Sequence, residues 1–318
     1  MGVFTSFTSF TSFTSSPFHL FTSFANAKAM HIFDIFLLEA VVNGVLFGGI
    51  LALLALGLNL IFGVIDVVWI CYAELIMMGM YAAYYLHTVF GWPLWLAFPA
   101  CIALVAVLGA ALHQFVIRPV LAAEPINQLL VTGGVLFFLQ GVATLAFGVE
   151  FRNLRVELPP LHVGELYLSS ARLIAFVVAL GGMIGMYLFL KRTYLGTAIR
   201  AISQDRAIMP LMGVDPRRIF LTTSALGGAL AGLAACLLVL QYDIHPAIGL
   251  SFGPVAFLVC VLGGLGNMIG GFAAAFIFAQ FISMGGYFLD LDWGYVIAFL
   301  FFIAVMFFRP QGLFGSRL

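Results

Sequence analysis

The chain has 318 residues, 13 basic and 13 acidic side chains, and is 64% hydrophobic with only 8% charged; its mean hydropathy is +1.16. Soluble domains are about 25% charged, so the solvent for most of this chain is lipid. Zero formal net charge excludes an electrostatic nucleic-acid binder, and the only lysines, Lys28 and Lys191, stand outside any GxxxxGK[ST] loop, which excludes a P-loop ATPase.

At the N-terminus, residues 4–15 read FTSFTSFTSFTS. Perfect triplet repetition is low complexity, and the segment lacks the cationic start and small-residue cleavage site of a signal peptide. Residues 1–29 are therefore expected to be a disordered extension or the product of a misassigned start, with Met30 the expected true start and 30–318 the membrane domain.

Apolar runs of roughly 20 residues cross a bilayer as helices. In chain order they are Ala40–Ile65, 67–89, Trp92–Ile117 (stopped by Arg118–Pro119), 126–149, Leu173–Leu190 and Ile219–Leu240. Leu250–Leu289 is long enough for two crossings, broken by Gly263–Gly264 and Gly270–Gly271, and Trp293–Phe308 is the last. The fold class expected is all-α, a polytopic membrane protein of eight or nine transmembrane helices. The connection 191–218 carries Lys191, Arg192, Arg200, Arg206, Arg217 and Arg218 against Asp205 and Asp215, which marks it cytoplasmic. Counting outward from it puts Arg118, Arg309 and Arg317 on the same side and the loop 150–172 outside, despite Arg152, Arg155 and Arg172.

Polar groups in lipid are costly and face the protein interior or a watery path. Asn43 and Asn59 in the first run, Glu74 in the second and Gln140 in the fourth are candidate path residues; helix–helix hydrogen bonding or a satisfied helix-end carboxylate is the competing reading. Small residues crowd "GGALAGLAA" (227–235) and "GGLGNMIGGFAAAF" (263–276). They suit close helix packing or a protomer interface, and glycine breaks also mark the discontinuous helices that line some transport paths. Cys71, Cys101, Cys236 and Cys260 each sit in an apolar run and read as small buried hydrophobes. No Cys/His spacing suggests a metal and no nucleophile elbow is visible, so no metal, cofactor or catalytic set is expected.

The cytoplasmic connection contains one amphipathic helix. Within Gly196–Met212 the apolar Ile199, Ile202, Met209 and Met212 form a stripe, with Arg200, Gln204 and Arg206 mostly off it. The helix is expected to end at Gly213, with Asp215–Pro216 opening the next span. It is an interfacial element or a plug for a soluble partner's groove.

That connection, "RTYLGTAIRAISQDRAIMPLMGVDPRRI", resembles the cytoplasmic loop of the LivH-type permeases of branched-chain amino-acid ABC transporters. "GLNLIFGVIDVV" (57–68), "ELIMMGMY" (74–81), "RPV" (118–120), "NQLLVTGGVLFFLQG" (127–141), "VLGGLGNMIGG" (261–271) and "FFRPQGLFG" (307–315) resemble further blocks of that family, in order. The resemblance implies a permease subunit of an ATP-driven importer in a bacterial inner membrane. It implies a coupling helix around Arg200, Gln204, Asp205, Arg206, Met209, Met212 and Gly213. It also implies four partners: a second homologous permease, two cytoplasmic ABC ATPases and a periplasmic substrate-binding protein. Two departures stand out. Where the family reads Asn-Phe-Ala-His-Gly-Glu, this chain has Trp69, Ile70, Cys71, Tyr72, Ala73 and Glu74, keeping only the glutamate. Pro210 replaces a small helix former, and proline removes a donor and kinks a helix, so a bent or two-part coupling helix is expected. Urea, short amides or another small polar solute remain open as cargo, and a self-contained channel or secondary carrier is the alternative class.

Overall fold

A computed structural model of the chain describes residues 17–315 apart from 155, 157, 158, 160, 164, 165 and 207. The FTS triplets of residues 4–15 lie outside the described residues; from Pro17 the chain runs as one helix, α1 (Pro17–Ile65). There follow α2 (Tyr72–Tyr84), extended by a π-helical turn Tyr85–Val89, and α3 (Leu94–Leu112), extended by a π-helical turn His113–Ile117 and a short α4 (Arg118–Val120). Next come α5 (Pro125–Phe147), a hairpin of β1 (Leu161–Val163) and β2 (Leu166–Leu168), α6 (Ser170–Arg192) and α7 (Tyr194–Gln204). The order closes with a 3-10 turn Met209–Met212, α8 (Pro216–Leu238), α9 (Ile248–Gly263), α10 (Met268–Phe288) and α11 (Leu291–Phe308).

Among the described residues, six helices are long and apolar enough to cross a membrane: Phe36–Ile65, Leu94–Val120, Pro125–Phe147, Ser170–Arg192, Pro216–Leu238 and Met268–Phe288. Ile248–Gly263 and Asp292–Phe308 are apolar but shorter. The run expected at 67–89 is only partly helical. Asp66 takes a left-handed φ of 61°, and its N–H donates to the Phe62 carbonyl at 2.8 Å, a left-handed cap that ends α1. Residues 67–71 are non-helical, and α2 starts only at Tyr72. The glycine-rich break is a tight turn between two helices, with φ of 95° at Gly264 and 80° at Gly266.

The apolar helix α1 is the axis of the molecule. Its span is 83% buried, against 22% for those of α3 and α5 and 28% for that of α6. A helix apolar on every side needs either lipid or protein around it; α1 has protein, and α3, α5 and α6 keep outward faces. α8 packs on α3 through glycine: a methyl group on Gly228 would lie 2.6 Å from the Val105 carbonyl oxygen, and one on Gly109 would lie 2.8 Å from that of Ser224. The "GGALAGLAA" stripe thus serves close packing inside the bundle, where van der Waals contact substitutes for a hydrophobic driving force.

Candidate functional site

One end of the bundle carries an open cleft of about 1140 Å³, bounded by the ends of α1 and α6, by α7, and by residues 265–269 and 314–315. The turn from α6 into α7 is sharp because residue 196 has no side chain: a methyl on Gly196 would sit 2.4 Å from the Leu190 Cα. Thr193 caps α7, its Oγ1 accepting from the Gly196 N–H at 3.0 Å. Ala198, Ile199 and Ile202 are buried and Arg200, Ser203 and Gln204 exposed, so the amphipathic reading holds for this half. Arg200, Gln204, Asp205 and Arg206 line the cleft with Asp66, Lys191 and Asn267.

The second half of that stripe is different. The helix stops at Asp205, whose backbone is extended and whose Oδ1 accepts from the Ile208 N–H at 3.2 Å, a local turn that competes with helix. Pro210 then opens a separate 3-10 turn, closed by Gly213 at φ 78°. The expected two-part helix is present, broken before the proline. Met209 and Met212 therefore do not continue the buried stripe: Met209 is half-buried, and Met212 and Leu211 are 73% and 84% exposed. Asp215 caps α8, accepting from the Arg217 N–H at 3.0 Å, ahead of Pro216 at the first turn.

Beside the cleft three separated sequence blocks meet. Asn59 of α1 is buried, and its Oδ1 accepts from the Gly266 N–H at 3.1 Å. Asn267 caps α10 by accepting from the Gly270 N–H at 3.0 Å and donates through Nδ2 to the Phe314 carbonyl at 2.9 Å. The Leu313 N–H donates to the Leu262 carbonyl at 2.7 Å. Asn59 is thus part of a joint holding the α9–α10 turn and the C-terminal segment to α1.

Glu74 lies in the first turn of α2, fully buried, and neither carboxylate oxygen has a hydrogen-bond partner. It rests against Gly249 in the first turn of α9, where a methyl group would come within 2.6 Å of Oε1. Next to it is a cavity of about 340 Å³ walled by Trp69, Ile70 and Ala73, by Leu129 and Leu136 of α5, and by Gly249 and Phe257 of α9. Thr132 of α5 ties this wall in place, donating to the Val68 carbonyl at 3.0 Å. The other two polar candidates lie elsewhere. The Asn43 Oδ1 accepts from Arg172 at 2.9 Å, and Gln140 sits half-buried on α5, its carbonyl accepting from Thr144 at 2.8 Å. Asn43, Asn59, Glu74 and Gln140 do not form one cluster.

Sequence reasoning missed Arg152. It donates to the Tyr85 hydroxyl at 2.5 Å and to the Phe147 carbonyl at 2.7 Å, and its guanidinium lies 5.7 and 5.3 Å from the Tyr84 and Tyr85 ring centroids. Its backbone pairs with Ile244, and Asn153 donates to Asp243 at 2.7 Å. This knot joins the ends of α2 and α5 to the α8–α9 connection. The signal available in the sequence was an arginine in a loop beside aromatic helix ends. All four cysteines are buried; Cys101 and Cys260 donate to the Gly79 and Ala55 carbonyls at 3.1 and 3.3 Å. Among the described residues no group of three His, Cys, Asp or Glu side chains comes together.

Comparison with known proteins places the chain in a family. The family described as the branched-chain amino acid transport system permease component matches residues 40–306. The chain is 31% identical over 293 residues to the high-affinity branched-chain amino acid transport system permease protein BraD of Pseudomonas aeruginosa, covering 87% of this chain and 95% of that one. It is 26% identical over 300 residues to LivH of Escherichia coli, covering 88% and 96%. It is also 25% identical over 285 residues to LivM of the same organism, covering 82% and 67%. The chain belongs to this permease family and is a multi-pass membrane protein.

Proposed function

We propose that this member of the branched-chain amino acid permease family is the membrane-spanning subunit of an ATP-driven importer of branched-chain or related amino acids. Residues 30–318 constitute the permease domain, in the inner membrane of a bacterium. It crosses the bilayer nine times: α2 and α9 are short helices completed by the non-helical stretches before them, and α9 and α10 are separate crossings. ATP hydrolysis belongs to two cytoplasmic ATPase subunits, and a periplasmic binding protein delivers the cargo. The second permease is a homologue of this chain; likeness to both LivH and LivM, each a permease protein of the high-affinity branched-chain system, supports that pairing. Asn43, Asn59, Glu74 and Gln140 remain the candidate path residues, with the buried, unpartnered Glu74 best supported.

The observation that carries the coupling reading is the exposed apolar pair Leu211 and Met212 on the 3-10 turn, next to a cleft lined by Arg200, Gln204, Asp205 and Arg206. Apolar side chains presented on a basic, polar connection suit a groove in a soluble partner. Arg200, Gln204, Asp205, Arg206, Met209, Met212 and Gly213 are the proposed ATPase contact. In proteoliposomes holding the complete transporter, Arg206→Glu or Met212→Asp is expected to lower ATP-driven leucine uptake at least about 10-fold, the equivalent of about 1.4 kcal/mol, with the chain still inserted. Undiminished uptake in both variants removes the coupling assignment. Uptake driven by an ion gradient without any ATPase sinks the importer reading in favour of a secondary carrier.

A further inference from the structure

We infer that Phe220 is a positioning residue of the coupling loop: its ring holds the Arg206 guanidinium on the end of an α3–α8 pair packed backbone to backbone, so that a push on the loop displaces both helices as one body. The inference rests on the reading of Arg206 as an ATPase contact and names the part of the bundle which that contact would move.

Arg206 is exposed, in the turn that follows α7, and among the described residues no ion pair holds it. Its guanidinium lies 5.7 Å from the centroid of the Phe220 ring, within the range at which a cation is drawn to the negative face of an aromatic ring. Phe220 stands near the start of α8 and is only 7% exposed. Against it lies His113, buried in the π-helical turn that extends α3, with 6.4 Å between the ring centroids and 68° between the planes. The Phe220 ring thus meets a cation of the loop and a buried ring of α3. Single π-helical turns are uncommon and concentrate at functional places.

The His113–Phe220 contact is the last rung of a ladder. Phe220, Ser224, Gly228, Gly232 and Cys236 recur every four residues, which puts them on one face of α8, and each meets α3. A methyl group on Gly109 would lie 2.8 Å from the Ser224 carbonyl oxygen, one on Gly228 2.6 Å from that of Val105, and one on Gly232 3.0 Å from the Ile102 Cα. The Cys236 thiol donates to the Phe98 carbonyl at 3.8 Å. The antiparallel register holds from Phe220 to Cys236, about 24 Å at the helical rise per residue. Long side chains can change rotamer under load, whereas backbone against backbone has nothing to give, and close-packed interiors transmit displacement. The pair also supports α2: a methyl group on Gly79 would lie 2.7 Å from the Ala235 Cβ and 3.8 Å from the Cys101 Sγ. α2 bears Glu74, so a force at Arg206 has a continuous packed route to the helix that carries the leading path candidate.

The test uses the complete transporter in proteoliposomes and reads leucine taken up per ATP hydrolysed. Phe220→Leu, which keeps apolar bulk and removes the ring, is expected to lower that ratio at least about threefold, and Phe220→Tyr, which restores the ring face, to hold it within about twofold of wild type. Arg206→Ala is expected to lose at least as much, and the double variant Arg206→Ala with Phe220→Leu no more than the worse single variant. Phenylalanine carrying progressively more ring fluorines at position 220 keeps the shape and drains the ring face of charge, so the ratio should fall stepwise; this series decides the matter where Phe220→Leu does not assemble. A flat fluorination series, a Phe220→Tyr loss as deep as that of Phe220→Leu, or a double variant whose loss is the product of the single losses overturns the inference and leaves the ATPase contact standing. An undiminished ratio in Arg206→Ala removes the contact and the inference with it.

Discussion

At Gly249 the absence of a single carbon decides what can stand beside Glu74. A methyl group there would lie 2.6 Å from the carboxylate oxygen, well inside van der Waals contact, so Gly249→Ala is expected to displace α9 from α2 and cost about 1–3 kcal/mol. The measurement is the thermal unfolding midpoint of the purified complex; an unchanged midpoint would mean that the helices are not in this contact. Glu74 was legible in the sequence because it is a carboxylate set in an apolar run. Its glycine neighbour was not, since 175 positions separate them in the numbering. The same distance effect governs Asn59. As a lone polar residue in a span it reads as a path candidate, and only its bond to the Gly266 N–H reveals a joint. The replaced stretch Trp69–Ala73 was visible as an oddity, and it becomes interpretable once Trp69, Ile70 and Ala73 are found in one cavity wall.

At the scale of one element, the connection between α6 and α8 separates local from non-local control. Local residue order marked the amphipathic segment that becomes α7 and, at Asp215–Pro216, the start of α8, because those depend on residues within a few positions of each other; the end expected at Gly213 lies instead at Gln204. The periodicity also ran one apolar stripe from Ile199 and Ile202 through Met209 and Met212, which the structure leaves half-buried and exposed. The reason is equally local: the Asp205 side chain closes a turn onto the Ile208 N–H, an interaction that hydropathy patterns ignore. The break therefore precedes Pro210. Pro210→Ala alone is expected to leave it in place and to change ATP-driven uptake by less than about threefold, under 1 kcal/mol, in contrast to Met212→Asp. A Pro210→Ala variant that loses uptake as fully as Met212→Asp would assign the break to the proline. The second apolar run shows the opposite limit. Its composition satisfies a full span from 67, yet the left-handed cap at Asp66 delays the helix to Tyr72.

At the scale of the whole molecule, the two ends of the bundle differ. One has an open cleft edged by Asp66 and Arg206; the other is tied by Arg152 across α2, α5 and the α8–α9 connection. Arginine over two tyrosine rings with two side-chain hydrogen bonds is a fixed cation that ties these segments together. Removing it should loosen that end. A cysteine introduced at Phe147 is expected to react with a membrane-impermeant maleimide several-fold faster in an Arg152→Ala background, and an equal rate would show that Arg152 does not hold the end closed.

By itself the sequence determined that this chain lives in lipid, where its apolar helices run, which connection is basic and which family it resembles. Composition, periodicity and ordered motifs carry those facts locally. Only the tertiary structure decided that α1 is the enclosed axis, that glycines bring α3 and α8 into backbone contact, and that Glu74 meets Gly249 beside an apolar cavity. In a chain apolar nearly throughout, hydrophobicity cannot distinguish a protein-facing side from a lipid-facing one. That choice is made by shape, through small residues and a few buried hydrogen bonds between segments far apart in sequence.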